Sequence, residues 1–168
     1  MSLDPLLHAS PVIQIHAAAA FLALILGAIQ LSRTKGDRLH RLTGRTWVTL
    51  MAVVALSSFF IWTIRVWWVF SPIHLISIFT LVMLWLGVRY AHRHDIKRHR
   101  RVMEYTYFLA LIVTGLLTFL PNRIMGEVAF GPDGPTPQKL MVFGGVVAVL
   151  ALIALGVFFA RRRAAKPA

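Results

Sequence analysis

Four histidines lie at matching positions in two stretches of the chain. His16 opens an apolar run, and His40 follows 24 residues later in a basic segment. His74 opens a second apolar run, and His99 follows 25 residues later in a second basic segment. An Ile-His pair and a His-Arg pair recur in both stretches. The pattern indicates a weak internal repeat that places two histidines near each end of a helical bundle.

Histidines that face each other across a bundle can hold haem b, because each neutral imidazole offers one nitrogen to the iron. His16 and His74 are therefore candidate ligands of a haem iron at one end of the bundle. His40 and His99 are candidate cofactor-binding residues at the other end, where basic neighbours suit propionates. Continuous helix would separate His16 from His40 by about 36 Å, which is long for two haems in one core. The second pair then binds a haem, another ligand or nothing.

The helix face below His16 carries only small residues. Ala19, Ala20, Ala23 and Gly27 follow His16 at helical spacing. Small side chains leave room for a flat ring, but they also let helices pack closely without a cofactor. His16 and His74 are equally open to a structural role, in which they only form hydrogen bonds. His40 and His99 are weaker candidates, because each lies in a basic segment where a solvated histidine is ordinary.

The composition is typical of a membrane protein. Hydrophobic residues make up 58% of the 168 positions, with a mean hydropathy of +0.71, whereas soluble domains average about 45–50%. The absence of cysteine excludes disulfides, thiolate metal sites and a cysteine nucleophile. The first apolar block is longer than a signal-peptide core of roughly 7–15 residues and lacks a preceding basic segment, so we interpret it as a permanent span.

Five apolar blocks are each long enough to cross a bilayer core of about 30 Å as a helix. The predicted spans are 12–31, 46–64, 73–90, 102–120 and 140–160. Ser71 and Pro72 are start signals for the third span, and Pro121 ends the fourth. An outer loop, 121–139, leaves room for a helical turn or two before residue 130. The predicted fold is one all-α membrane domain over residues 1–168, with a four-helix core built as a two-helix repeat and a fifth helix.

Basic residues predict the orientation. With the N-terminus outside, 15 of the 18 lysines and arginines fall on the inner side. We therefore expect a multi-pass protein of the bacterial inner membrane with a cytoplasmic C-terminus, and an outer aromatic belt of Trp62, Trp67 and Trp68. The net charge of +12 then reflects topology and attraction to anionic lipid. The loops carry no nucleic-acid-binding motif, so nucleic acid is not an expected partner.

The remaining polar residues add little chemistry. Glu104 is expected to pair with Arg100 or Arg101 one turn earlier, or to relay protons to a quinone. His92 and His94 are expected on the surface, and His8 in a terminal segment. The sequence contains no nucleophile elbow, P-loop, Rossmann glycine pattern or HExxH motif, and it specifies neither a substrate nor an oligomeric state.

The chain resembles a bacterial family of small integral membrane proteins catalogued as a domain of unknown function. The resemblance covers about residues 12–131. It rests on Ile15-His16, Leu39-His40-Arg41 with Gly44-Arg45, Ser71-Pro72-Ile73-His74-Leu75, His99-Arg100 with Met103, Thr118-Phe119-Leu120-Pro121 with Arg123 and Met125, and Phe130-Gly131. The histidine arrangement is also similar in outline to four-histidine cytochrome b561-like proteins, with a longer histidine spacing.

Three functions follow as hypotheses. The first is a b-type haem protein that transfers electrons to or from quinone or a membrane redox partner, with one or two haems. The alternative is a non-enzymatic structural or accessory membrane subunit with structural histidines. The third is a small-solute or proton transporter with a histidine relay, and the lack of Gly- or Pro-broken spans disfavours it.

Overall fold

The chain folds into helices. The computed structural model describes residues 2–33, 35–61, 72–120, 123–131, 134, 136–141 and 144–145, and within these ranges all regular secondary structure is helical. The elements are α1 (Asp4–Leu7), α2 (Pro11–Ser32), α3 (Arg38–Ser58), α4 (Pro72–His92), α5 (Ile96–Tyr105), a π-helix (Thr106–Val113), α6 (Thr114–Leu117) and α7 (Ile124–Phe130). The predicted all-α class is confirmed.

Two of the described helices are long and apolar enough to cross a bilayer. They are α2 and the part of α4 from His74 to His92, and they coincide with the first and third predicted spans. Most of the fifth predicted span, 140–160, lies outside the described residues, as do Ser71, Pro121 and the three tryptophans of the expected outer belt. A total of five spans therefore stays a prediction.

The second helix of each repeat begins earlier than the apolar pattern indicated. α3 starts at Arg38 rather than at residue 46, because the Asp37 carboxylate accepts the His40 backbone N–H at 2.6 Å. α5 starts at Ile96 rather than at 102, because Asp95 accepts the Arg98 N–H at 3.1 Å. Such caps stabilise a helix by about 1 kcal/mol. The basic segments are thus the first turns of helices rather than loops.

Four helical segments pack around a shared core. α3 contacts both α2 and α4, and the π-helix also contacts both of them, so α2 and α4 occupy diagonal positions. The centre is apolar and includes Trp47, Met51, Leu84, Tyr107 and Leu111. α1 packs on α7, which places the N-terminal segment and the connection after the fourth segment at the same end.

The fourth segment is not the single α-helix that the sequence predicts over 102–120. It changes from α5 to a π-helix over Thr106–Val113 and then returns to α6. The Thr114 hydroxyl donates to the Leu109 carbonyl, five residues earlier, at 3.1 Å. π-Helices are rare and have no clear propensity signal, which explains why the apolar pattern did not indicate one.

Candidate functional site

His16 is held at the end of α2 by the neighbouring helix. Its Nδ1 lies 2.9 Å from the Ser57 hydroxyl, and that hydroxyl donates its proton to the Val54 carbonyl at 3.1 Å. Since Ser57 has only one proton, its oxygen acts as the acceptor and His16 Nδ1 is the donor. The neutral ring then carries its lone pair on Nε2.

His74, in α4, lies near the C-terminal end of α3, as His16 of α2 does. It is buried, with 5% of its surface exposed, and its ring stacks on Phe59 at 5.6 Å between centroids. One turn further along α4, the Ser77 hydroxyl forms a hydrogen bond with Ser58 of α3. Ser57 and Phe59 are two residues apart and contact one histidine each. The C-terminal turn of α3 thus brings His16 and His74 to one region, which we call the outer histidine site.

In the outer histidine site, His16 has the tautomer that ligation of a metal through Nε2 would need. A coordinating imidazole must be neutral with one nitrogen unprotonated, and a hydrogen bond from the other nitrogen fixes that tautomer. The bond from His16 to Ser57 does this for Nε2. His74 is a second imidazole beside the same turn of α3.

The small-residue face of α2 below this site is filled by aromatic side chains. Trp47 Nε1 donates to the Ala23 carbonyl at 3.0 Å, and the Tyr107 hydroxyl donates to the Leu24 carbonyl at 3.1 Å. A Cβ on Gly27 would lie 2.7 Å from Trp47 Nε1 and would also meet the Tyr107 ring. Close packing is thus the role of this part of the face, and a flat ring held by His16 would have to lie nearer the outer end.

His40 forms a different hydrogen bond at the other end of the bundle. The Gln30 amide nitrogen lies 2.8 Å from His40 Nδ1 and 2.8 Å from the His40 carbonyl. The Gln30 amide oxygen accepts from the Thr43 hydroxyl at 2.5 Å. Because a carbonyl can only accept, the amide nitrogen must point at His40, and Nδ1 of His40 is an acceptor. The neutral ring of His40 then carries its proton on Nε2.

His99 has the opposite arrangement. Its Nδ1 lies 2.8 Å from the Gly87 carbonyl and must be the donor, so the neutral ring keeps its lone pair on Nε2. His99 is near enough to His40 for its positive charge to lower the pKa of His40. We call Gln30, His40, Thr43 and His99 the inner histidine site. The predicted pairing of His40 and His99 around a ligand stays a prediction, and Nε2 of His40 carries the proton that a ligand to iron must lack.

The pKa of His40 is lowered from its ordinary value of 6.5, first by burial and then by the charges of His99, Lys35 and Arg33, against the opposing charge of Asp37. Folded His40 then binds a proton less readily than unfolded His40. Protonation of Nδ1 would also place a proton against the Gln30 amide. We therefore expect the free energy of unfolding to be highest above pH 6.5 and to fall as the pH drops through the lowered pKa.

Thermal unfolding of detergent-solubilised protein between pH 7.5 and pH 5 measures this dependence. His40→Gln should flatten it, whereas the matched surface change His92→Gln should leave it as in the wild type. An equal fall in melting temperature for wild type and His40→Gln would show that another group is responsible.

The remaining predicted residues fall as expected. His8, His92 and His94 are exposed, and Arg100 Nε pairs with Glu104 Oε1 at 2.7 Å, which confirms the predicted pairing. The described part of the chain has no group of three histidine, aspartate or glutamate side chains suited to a metal ion.

Sequence reasoning missed Gln30 and Ser57. Gln30 carried a signal, because it is a lone amide near the inner end of an apolar run.

The fold and the two polar ends define an all-helical membrane protein with a packed apolar centre. The chain belongs to the family described as "Predicted membrane protein (DUF2306)", whose profile matches residues 13–157. Neither the curated proteins nor the solved structures give a significant match. The outline similarity to cytochrome b561-like proteins therefore stays a prediction.

Proposed function

We propose that this protein binds one b-type haem at the outer histidine site and transfers electrons within the membrane, to or from quinone or a membrane redox partner. The observation that supports the proposal best is the hydrogen bond from His16 Nδ1 to Ser57. It prepares Nε2 of His16 for ligation beside a second, buried histidine, His74.

The residues around the site would orient the ligands and keep out water. Ser57 would fix the tautomer of His16, and Phe59 would fix the plane of the His74 ring by stacking. Ser58 and Ser77 satisfy each other's hydroxyl groups, which leaves the space beside the histidines less polar. When bound, a b-type haem supplies one-electron redox chemistry.

The proposal predicts the haem content. Purified protein from haem-replete cells should carry close to one haem per chain, because His40 of the inner pair carries its proton on Nε2, where a ligand to iron needs a lone pair. Native mass spectrometry in detergent measures the stoichiometry directly. Two haems per chain would assign the inner pair to a haem as well, and protein without haem that fails to take up added haem would contradict the proposal.

The alternative function is a non-enzymatic membrane subunit, and the filled helix face favours it. Trp47 and Tyr107 occupy the surface where small residues left room for a cofactor. His16, His40 and His99 each have a hydrogen-bond partner within the protein. In this alternative, replacing a histidine would lower stability and change no spectrum.

We also propose that the protein lies in the bacterial inner membrane with its N-terminus outside and its C-terminus in the cytoplasm. The support is the distribution of basic residues, 15 of 18 on one side. The contact of α1 with α7 agrees with it, because both segments belong to the outer side in this topology. A reporter attached after the C-terminus should be active only as a cytoplasmic fusion. A periplasmic signal would reverse the assignment of outer and inner sites.

A further inference from the structure

A groove lies on the surface of α4 near its C-terminal end. It has a volume of about 370 Å³ and is lined by Trp85, Val88, Arg89, His92 and Arg93. These five residues recur at helical spacing, which places them on one face of the helix. All of them are exposed, so the groove is open to the surroundings of the bundle. We call it the α4 groove.

Two arginines give the α4 groove its charge. The Arg89 guanidinium carbon lies over the Trp85 ring, 5.0 Å from its centroid, which is within the range of a cation–π interaction. Arg93 follows one turn later on the same face. None of the ion pairs within the described residues includes Arg89 or Arg93. Like charges at this spacing repel each other, so an anion held between them would remove the repulsion.

The groups of the α4 groove suit a phosphate. A guanidinium presents several N–H donors in a planar fork that matches two phosphate oxygens at once. Arg89 and Arg93 would each contribute such a fork, and the neutral ring of His92 would add a single N–H. The contact with the Trp85 ring holds Arg89 in place before a ligand arrives, so less side-chain freedom is lost on binding.

An apolar surface continues from the α4 groove along the same helix. It consists of exposed side chains at helical spacing, Leu75, Ile78, Phe79 and Val82. From Leu75 to Arg89 the helix rises about 21 Å, which exceeds half of a bilayer core of about 30 Å. This helix is one of the two that are long and apolar enough to cross a membrane. Trp85 lies between the apolar and the charged part, as tryptophans do at a membrane interface.

We propose that the α4 groove binds one anionic phospholipid, with its phosphate at Arg89 and Arg93 and an acyl chain along the exposed apolar face of α4. A soluble phosphate compound would lack the apolar contacts. A zwitterionic phospholipid would bring an ammonium group close to two arginines. The groove therefore selects both the anionic headgroup and the membrane as its source, which a general attraction between basic segments and an anionic surface does not do.

The first test needs no variant. Wild-type protein in detergent is titrated with phosphatidylglycerol, with phosphatidylethanolamine of the same acyl chains and with glycerol 3-phosphate, and native mass spectrometry counts the bound molecules. The first phosphatidylglycerol should bind about fivefold or more tightly than phosphatidylethanolamine, and glycerol 3-phosphate should bind far more weakly than either lipid. Equal binding of the two lipids would overturn the choice of an anionic lipid. Glycerol 3-phosphate that binds as tightly as phosphatidylglycerol would overturn the membrane source.

Arginine variants identify the site. Arg89→Gln should weaken phosphatidylglycerol binding about fivefold, and the double variant with Arg93→Gln about tenfold or more, with loss of the preference over phosphatidylethanolamine. Arg98→Gln is the matched control, because it removes the same charge and Arg98 also lies over a ring, that of Tyr90. Arg98 is already paired with Asp95 at 3.5 Å, so this variant should bind as the wild type does. Equal weakening by Arg89→Gln and Arg98→Gln would show an unspecific charge effect and overturn the site.

Trp85→Leu tests the ring contact separately. It keeps an apolar side chain but removes the aromatic face under Arg89, and it should weaken phosphatidylglycerol binding about two- to fivefold. The same spectra reveal a competing occupant of the groove. A wild-type dimer that dissociates in the double arginine variant, with no phosphatidylglycerol bound to the monomer, would assign the α4 groove to a second copy of the chain and overturn the lipid site.

Discussion

Replacement of either outer histidine by alanine should remove the bound haem. His16 and His74 would each hold the haem iron through one imidazole nitrogen, and even changes to groups that only support a ligand weaken binding by about 10–100-fold. We expect His16→Ala and His74→Ala to lose at least about nine-tenths of the Soret absorbance per protein. The double variant should lose no more than either single variant, because two ligands to one iron act as a unit. Absorbance spectra of the purified variants measure the loss.

The inner histidines provide the matched controls for this experiment. His40→Ala and His99→Ala also replace hydrogen-bonded histidines, yet they should keep the haem spectrum. Ser57→Ala should keep part of the haem, with a shifted spectrum, because it removes only the bond that orients His16. A full, unshifted spectrum in His16→Ala together with its loss in His40→Ala would move the haem to the inner side.

A single methyl group at Gly27 should destabilise the fold strongly. A Cβ there would lie 2.5 Å from Cδ2 of Tyr107 and 2.7 Å from Trp47 Nε1. Both rings are fixed by hydrogen bonds to carbonyls of α2, so they cannot move aside without losing a bond. Overpacking of this kind costs about 1–3 kcal/mol or more, which exceeds the gain of about 1 kcal/mol from replacing glycine in a helix.

Thermal unfolding of Gly27→Ala in detergent, with Gly87→Ala as its control, measures this cost. A Cβ on Gly87 would meet the flexible methyl end of Met103, which can rotate away, so the control should unfold close to the wild type. We expect Gly27→Ala to unfold several degrees lower, since 1 kcal/mol corresponds to about 2–4 °C at this chain length. Equal melting temperatures for both variants would show that the aromatic rings are not fixed.

The helical class and the positions of α2 and α4 could be predicted because long apolar runs leave the backbone no other way to satisfy its hydrogen bonds in a membrane. The helices α3 and α5 begin before the predicted spans 46–64 and 102–120, because the apolar pattern that defines a span begins only after their basic first turns. The aspartates before them, Asp37 and Asp95, are cap signals that the search for apolar blocks passed over. The N-cap residues, rather than the first apolar residues, therefore determine where these two helices begin.

The sequence could identify the histidines of the candidate sites but not their protonation. The repeat singled out His16, His40, His74 and His99, and the structure brings His16 and His74 to the same turn of α3. The sequence repeat could not show which nitrogen of each ring carries the proton, because that depends on whether the partner is a carbonyl, a hydroxyl or an amide in another helix. The protonated nitrogen is determined by the hydrogen bonds to Ser57, Gly87 and Gln30. These three residues lie far from their histidines in sequence or show no spacing that would link them to a histidine.

The role of the small residues below His16 was left open for a related reason. Helical spacing shows that Ala23 and Gly27 share a face, but it does not show what fills the space beside them. The structure places the Trp47 and Tyr107 rings there. Tyr107 lies in the π-helix that follows α5, and helical spacing within α2 does not identify a neighbour that comes from another segment.

The absorbance spectrum of the purified wild-type protein tests the central claim most directly. Reduced with dithionite after purification from haem-replete cells, the protein should show a Soret band and a sharp alpha band, as two imidazole ligands produce. A preparation that is colourless, and stays colourless after haem is added and excess haem removed, would contradict haem binding and leave the four histidines with structural and hydrogen-bonding roles.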